Sequence, residues 1–441
     1  MQAAAVPVPV THRRVLKIAL PIVLSNATVP LLGAVDTGVV GQLGQAAPIG
    51  AVGLGAVVLV SFYWIFSFLR MGTSGLAAQA HGAGDTAERT AVLLRALLIA
   101  FGAGFTLILM QGALFWAAFR VAPASAEVET LARSYLALRI WGAPATIALY
   151  AVTGWLIALE RTRGVLVLQL WMNGLNIGLD LWFVIGLGWG VPGVAIATLI
   201  AEWTGLALGL WLCRDAFGPA LAAARARIWD SVALRRMASV NSDIMLRSVL
   251  LQGSFTAFLF FGAGLGDVTL AANQVLLQFL EITAYALDGF AFAAEALVGQ
   301  AVGARSRPAL HRSAVIAAKW GAGGAVGLSL IFALAGPAII DLMTTAPEVR
   351  AMAHSYLWWL VAAPLIGVAS WMYDGIYIGA TATRDMRQAM ILAVAIYVLS
   401  LAILLPAFGN HGLWAALMVL NAARGLTLAW RWPAIAARIT T

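Results

Sequence analysis

The sequence predicts an all-α polytopic membrane protein, with twelve transmembrane helices in two parallel six-helix repeats. Three observations predict this class. The 441 residues are 62% hydrophobic and only 10% charged, against about 25% charged in soluble domains. Apolar runs of the roughly 20 residues that a bilayer requires recur along the whole chain. Short strings from the first half also return in the second half at one fixed offset.

The spans fall near residues 15–42, 48–78, 90–118, 127–158, 165–187, 192–213, 236–262, 268–302, 310–336, 347–379, 386–407 and 411–432. Several exceed the length of a bilayer crossing, so they should tilt or run past its surface. Residues 1–12 then form a cytoplasmic tail, 13–213 a first lobe of helices 1–6, 214–235 a cytoplasmic linker, 236–432 a second lobe of helices 7–12, and 433–441 a closing tail. Arg13, Arg14 and Lys17 ahead of the first apolar run imitate a signal peptide. That run is too long and ends in Asp36 rather than at a small-residue cleavage site, so it is read as the first span.

Charge sets the orientation. The tail and the turns after spans 2, 4, 6, 8 and 10 collect arginine (Arg89, Arg161, Arg163, Arg305, Arg384), while the opposite turns hold little beyond Arg120, Arg133 and Arg350. Both termini are therefore expected in the cytoplasm. The net charge of +8 sits in these short tracts and argues for a membrane surface rather than nucleic acid. The lone Cys213 excludes an intrachain disulfide, and no CxxC or HExxH pattern offers a metal site. GWGVPG at 188–193 matches GxGxxG, but no strand precedes it, and no P-loop occurs, so ATP is not the energy source.

The repeat is read from three matches. EVETLARSYL from Glu127 and EVRAMAHSYL from Glu348 stand 221 residues apart (348 − 127). QAHGA from Gln79 pairs with QAVGA from Gln300, and Thr162-Arg163 with Thr383-Arg384, on the same diagonal. Six spans per unit is even, so the repeats run parallel. Transport folds place a binding cavity where such bundles meet.

The chemistry lies in polar residues inside the spans. An ionised carboxyl among lipid tails costs at least ~2.5 kcal/mol, so Asp36 in the first span needs a partner. Span 5 carries Asn173, Asn176 and Asp180 at i, i+3 and i+7, one face of a helix, and span 6 adds Thr198 and Glu202. One reading is a structural polar seam between helices. The other opposes Asp36 and Asp180, with Asn176 and Thr198 as neutral oxygens, to hold a cation. These residue types suit H⁺ and Na⁺ alike. Pro21 and Pro30 each remove a backbone hydrogen bond, making Pro21 a candidate hinge or a static kink.

In the second half, Glu281, Asp288 and Glu295 are spaced by sevens on span 8 as an acidic stripe, either paired within the lobe or attracting a cationic substrate. Asp243 and Arg247 stand at i, i+4 on span 7. Asp374, near the cytoplasmic end of span 10, is expected to be neutralised by Arg384 or Arg387. Aromatic residues crowd spans 2, 4 and 10, and Tyr150 and Tyr373 are picked as cleft contacts.

Asp36 followed by TGVVGQLG, the set Asn176, Asp180 and Thr198, ALDGFAFAAEALVGQAVGA in span 8 and DGIYIGATATRDM ending span 10 resemble multidrug and toxic compound extrusion (MATE) transporters, in particular their DNA-damage-inducible F (DinF-like) branch. The resemblance implies a two-lobed fold, no enzymatic activity, and export of organic cations and amphiphiles driven by inward H⁺ or Na⁺. It also implies a first-lobe cation site at Asp36, Asn176, Asp180 and Thr198, with bending of the first helix near Pro21. No cofactor is implied beyond the coupling ion, nor any metal beyond Na⁺ at Asp36 and Asp180, and a monomer in membrane lipid is expected. The alternative is a lipid-linked oligosaccharide flippase of the same superfamily. That protein should have a cationic cavity, whereas the intramembrane charge here reads as mostly acidic. An ion channel lacks any filter-like motif here.

Overall fold

The computed structural model describes residues 9–29, 35, 38–42, 45–121 and 124–439. Among them every regular element is helical: α1 (His12–Ala27), α2 (Ala46–Gly82), α3 (Thr86–Leu109), α4 (Gln111–Val121), α5 (Ala126–Ala158), α6 (Thr162–Asp180), α7 (Gly190–Leu212), α8 (Ala220–Arg227), α9 (Ser231–Ala263), α10 (Asp267–Gly303), α11 (Arg307–Met343), α12 (Pro347–Gly379), α13 (Thr383–Phe408) and α14 (Asn410–Ile439). Ten of these are long and apolar enough to cross a membrane. α1 and α6 occupy the places expected for spans 1 and 5. Gln169, Asn173, Asn176 and Asp180 lower the apolarity of α6, so the residues that make it interesting also keep it from those ten.

Grouped by contact, the chain forms two units. The first holds Leu24–Ala77 and Asp85–Met237; the second holds Met1–Val23, Ala78–Gly84 and Ala238–Thr441. The expected lobe of 13–213 therefore differs from the contact grouping at three places: the start of α1, the last turn of α2, and residues 214–237, which join the first unit. The switch in α1 falls two residues after Pro21, and the helix runs through that proline without a break. Pro30 lies outside the described residues.

In the first unit, Leu59, Tyr63, Tyr135, Leu136, Ile140 and Val194 form one buried cluster. The 214–235 linker is helical at α8 and tied down at its end. Arg95, buried on α3, donates to the carbonyls of Arg227 (2.5 Å) and Ile228 (3.2 Å) while pairing with Glu88 at 2.7 Å. Asp85 caps α3 by accepting from the Glu88 N–H at 2.9 Å, and it also pairs with Arg227 at 2.7 Å. Asp215 accepts both arms of Arg161 at 2.7 and 2.8 Å.

In the second unit α10 and α12 approach most closely through Gly375 and Gly379. A Cβ on either would overlap a backbone carbonyl of α10, that of Ala291 or Glu295. This Gly-x-x-x-Gly spacing is the small-residue device that lets membrane helices touch backbone to backbone. It joins two of the strings quoted for the resemblance, ALDGFAFAAEALVGQAVGA in span 8 and DGIYIGATATRDM ending span 10. At α10's other end Asn273 and Asn410 exchange amide bonds (2.8 and 3.0 Å) and the Trp414 indole donates to Asn273 at 2.9 Å, leaving a satisfied polar knot beside Phe258.

The repeat is also visible in backbone geometry. Four helix-ending turns place a residue in the left-handed region: Gly84 and Arg305, and Glu160 and Thr381. Each pair stands 221 residues apart (305 − 84 and 381 − 160). Three of the four are not glycine and bear a cost of order 1 kcal/mol. Matching bonds close the turns, Arg161 N–H to Leu156 and Ala382 N–H to Tyr377 (2.8 and 2.9 Å). The QAHGA and QAVGA strings meet reciprocally within the second unit: Gly82 lies against the Gln300 carbonyl and Gly303 against that of Gln79.

Two tests follow from this packing. Gly379→Leu should lower stability in detergent by roughly 1–3 kcal/mol, whereas Gly323→Leu, which faces open space, should leave the melting temperature unchanged. Burial raises the Asp85 and Asp215 carboxyls, but the Glu88 N–H and Arg227 at Asp85, and Arg161 at Asp215, prevail and hold both below the usual carboxylate value. A depressed folded-state pKa stabilises above the unfolded value and is lost as pH falls through the folded one. The hydrogen-exchange protection of 214–230, taken relative to an unstructured chain at the same pH, should therefore be flat from neutral pH down to about 4 and fall below it.

Candidate functional site

α6 builds the site in the first unit. Its spacing turns Asn173, Asn176 and Asp180 to one side, where they are 6%, 1% and 0% exposed. Directly after Asp180 the helix widens into a π-helical turn, Leu181–Gly186. Such turns are frequent at functional positions because they loosen the backbone ladder beside a working side chain. Asn176 donates to the Thr198 hydroxyl at 3.1 Å, and that hydroxyl donates to the Val194 carbonyl at 3.0 Å. The Asn176 Oδ1 is buried and accepts no hydrogen bond among the described residues. Asn173 donates to the hydroxyl and carbonyl of Thr28 (3.0 and 3.2 Å) and accepts from Gln169 at 2.9 Å. The first span thus reaches α6 through Thr28, which sequence spacing alone did not single out.

A carboxylate, an amide oxygen and a hydroxyl on adjacent turns make a hard-oxygen set of the kind that suits Na⁺ or holds a proton. Asp36, the expected partner of Asp180, lies outside the described residues. No group of three His, Cys, Asp or Glu that would hold a transition metal occurs among the described residues.

Glu202 does not join this set. It forms a two-armed ion pair with Arg139 of α5 at 2.6 and 2.9 Å, both side chains buried. The Tyr63 hydroxyl donates to the Arg139 carbonyl at 3.3 Å. Tyr150 is half-buried on α5.

The charges of the second unit pair differently from their sequence spacing. Asp374 is held by Arg247 and by Arg424, the latter at 2.7 Å, and not by Arg384 or Arg387. Asp243 does not take its i+4 neighbour Arg247. It accepts from Arg387 at 2.5 Å and from Thr383 at 3.1 Å. The acidic stripe of α10 divides by depth: Glu281 is exposed, Asp288 half-buried and Glu295 fully buried. Tyr373 lines a cavity of about 590 Å³ among α11, α12 and α14.

Sequence reasoning missed Arg139 and Arg424. The available signal was an arginine standing alone within an apolar run. With Arg247 they change the balance of intramembrane charge, which is not mostly acidic: each of these arginines lies against a buried carboxylate, and Asp374 faces two.

Comparison with known proteins supplies an independent line. The MatE family model matches residues 21–182 and 244–405, two segments of equal length. DNA damage-inducible protein F of Escherichia coli (strain K12) is 41% identical over 429 residues, covering 94% of this chain and 90% of that protein. Protein DETOXIFICATION 44, chloroplastic, of Arabidopsis thaliana is 26% identical over 432 residues, covering 95% and 81%. Among solved structures, the Vibrio cholerae MATE transporter VcmN in its bent form superposes with a TM-score of 0.85 at 19% identity, covering 97% of each chain. An outward-facing multidrug resistance MATE family transporter gives 0.79 at 21%, covering 98% and 97%. At these identities the structures establish the fold.

Breaking a buried ion pair strands its partner, at a cost of roughly 3–5 kcal/mol. Asp374→Asn should therefore destabilise the protein by about that much, and Glu202→Gln similarly, when unfolding is followed in detergent. The double substitution Glu202→Leu with Arg139→Met should recover most of the loss.

Proposed function

The chain belongs to the multidrug and toxic compound extrusion family, whose members are transporters and not enzymes, and from that premise we propose that it is a secondary active antiporter of a bacterial inner membrane. Organic cations or amphiphiles leave the cell in exchange for H⁺ or Na⁺ entering, the two halves alternately exposing their sites. Both termini lie in the cytoplasm, as the arginine-rich turns require, and a monomer suffices.

One observation carries this reading: Asp180 is fully buried in a span, one helical turn after Asn176, which bonds to Thr198, and is followed by a π-helical turn. A carboxyl at such depth is costly unless a cation, a proton or donated hydrogen bonds meet it. Loading and unloading therefore change the charge of a buried site, and a ligand drives a cycle only when it binds two states unequally. Asp36 is the second carboxylate of this latch. Asn176 supplies the neutral oxygen, its Oδ1 accepting no hydrogen bond among the described residues. Pro21 marks where α1 bends as the site changes charge.

Inverted vesicles given a pH or Na⁺ gradient, with uptake of a fluorescent organic cation followed in time, test the proposal. Wild-type uptake should depend on one gradient. Asp180→Asn and Asp36→Asn should each reduce it at least tenfold while preserving the amount of folded protein. Equal rates from Asp180→Asn would falsify the assignment.

A further inference from the structure

A groove of about 590 Å³ runs among α11, α12 and α14 of the second unit, and neither the coupling site nor the ion-pair network uses it. Its mouth is formed by Arg307 and His311 at the start of α11 and by Trp432 near the end of α14. From there it follows α11 through Ala314 and Ala318 to Ala322, opposite Met372 and Val368 of α12. Fifteen residues of helix measure roughly 22 Å, deeper than one leaflet of a hydrocarbon core about 30 Å thick. Val315, Ala369 and Pro433 on its walls are exposed, so the groove opens on the surface of the unit.

The lining is polarised along its length. Arg307 and His311 are exposed and make no ion pair among the described residues, and no carboxylate lines the groove. Arg305 and Arg312, also exposed, stand within a few residues of the mouth. Beyond the mouth almost every lining residue is apolar. Trp432, held against the Tyr377 ring at 5.8 Å between centroids, stands where indoles mark the lipid–water boundary. The mouth lies at the arginine-rich end of the spans, the side assigned to the cytoplasm by charge.

A cationic mouth repels the organic cations proposed as cargo and attracts an anion. A long apolar trough asks for hydrocarbon. We propose that the groove binds one anionic diacyl phospholipid of the cytoplasmic leaflet, its phosphate at Arg307 and His311 and an acyl chain along Ala318, Ala322 and Met372. Basic pockets between spans on that side take anionic lipid head groups by this combination of charge and depth. The inference is independent of the coupling ion.

The test uses the full chain in phosphatidylcholine nanodiscs doped with photoactivatable phosphatidylglycerol or photoactivatable phosphatidylcholine of the same chains. Cross-links to peptides covering 307–322, 368–376 and 432–436 should be about fivefold more frequent with phosphatidylglycerol, the share of one arginine. Arg307→Gln with His311→Gln should remove that preference, and Ala318→Trp should block labelling of the deep segment while labelling elsewhere stays constant, which reports intact folding. Should Ala318→Trp fail that control, Ala322→Leu serves in its place. Equal labelling by the two lipids overturns the proposal, as does a preference that survives both kinds of variant. Competition by millimolar inorganic phosphate as strong as that by unlabelled phosphatidylglycerol shows a free-anion site instead, and displacement by a fluorescent organic cation shows a cargo site.

Discussion

Hydrocarbon offers nothing to a polar atom, so every charged group placed among these helices must bring its own partner. That constraint organises the chain more than any single hydrophobic contact. Arg139 is matched to Glu202, Arg387 to Asp243, and Arg247 with Arg424 to Asp374, each across helices distant in sequence. The Asn273–Asn410–Trp414 knot settles uncharged groups in the same way. In the ion-pair sites charge faces charge, and the pairs fix which helices pack together. Such pairs are weak evidence of stability but strong evidence of register, because a slipped helix would strand a charge.

Asp180 stands against this background. Asn176, one helical turn before it, bonds to Thr198, and the helix widens directly after Asp180. In the proposed reading Asp180 exchanges a small cation with the solvent, whereas Asp374 is clasped by two guanidinium groups.

Much of this was legible beforehand because a bilayer dictates segment length and because Asn173, Asn176 and Asp180 share a face by spacing alone. The repeat was legible too, in QAHGA and QAVGA, although only coordinates show that Gly82 and Gly303 make those strings meet reciprocally. The arginine partners were hidden. Helix spacing reveals neighbours three or four residues apart, and the true pairs span 63 residues for Arg139 with Glu202 and 127 for Arg247 with Asp374. Nearest-neighbour reasoning therefore offered Arg384 or Arg387 to Asp374, whose partners are Arg247 and Arg424. Nor did the sequence mark Gly375 and Gly379 as the contact with α10, since the chain holds 44 glycines.

The central claim is that Asp180 holds an ion whose binding opposes that of substrate. Linkage makes this reciprocal, so substrate added to the purified protein must expel the ion. Proton release into weakly buffered detergent solution, or displacement of radioactive Na⁺, measures it without any vesicle. The account expects release from the wild-type protein on adding an organic cation, and none from Asp180→Asn at equal substrate occupancy. Release that is unchanged in the variant would contradict it.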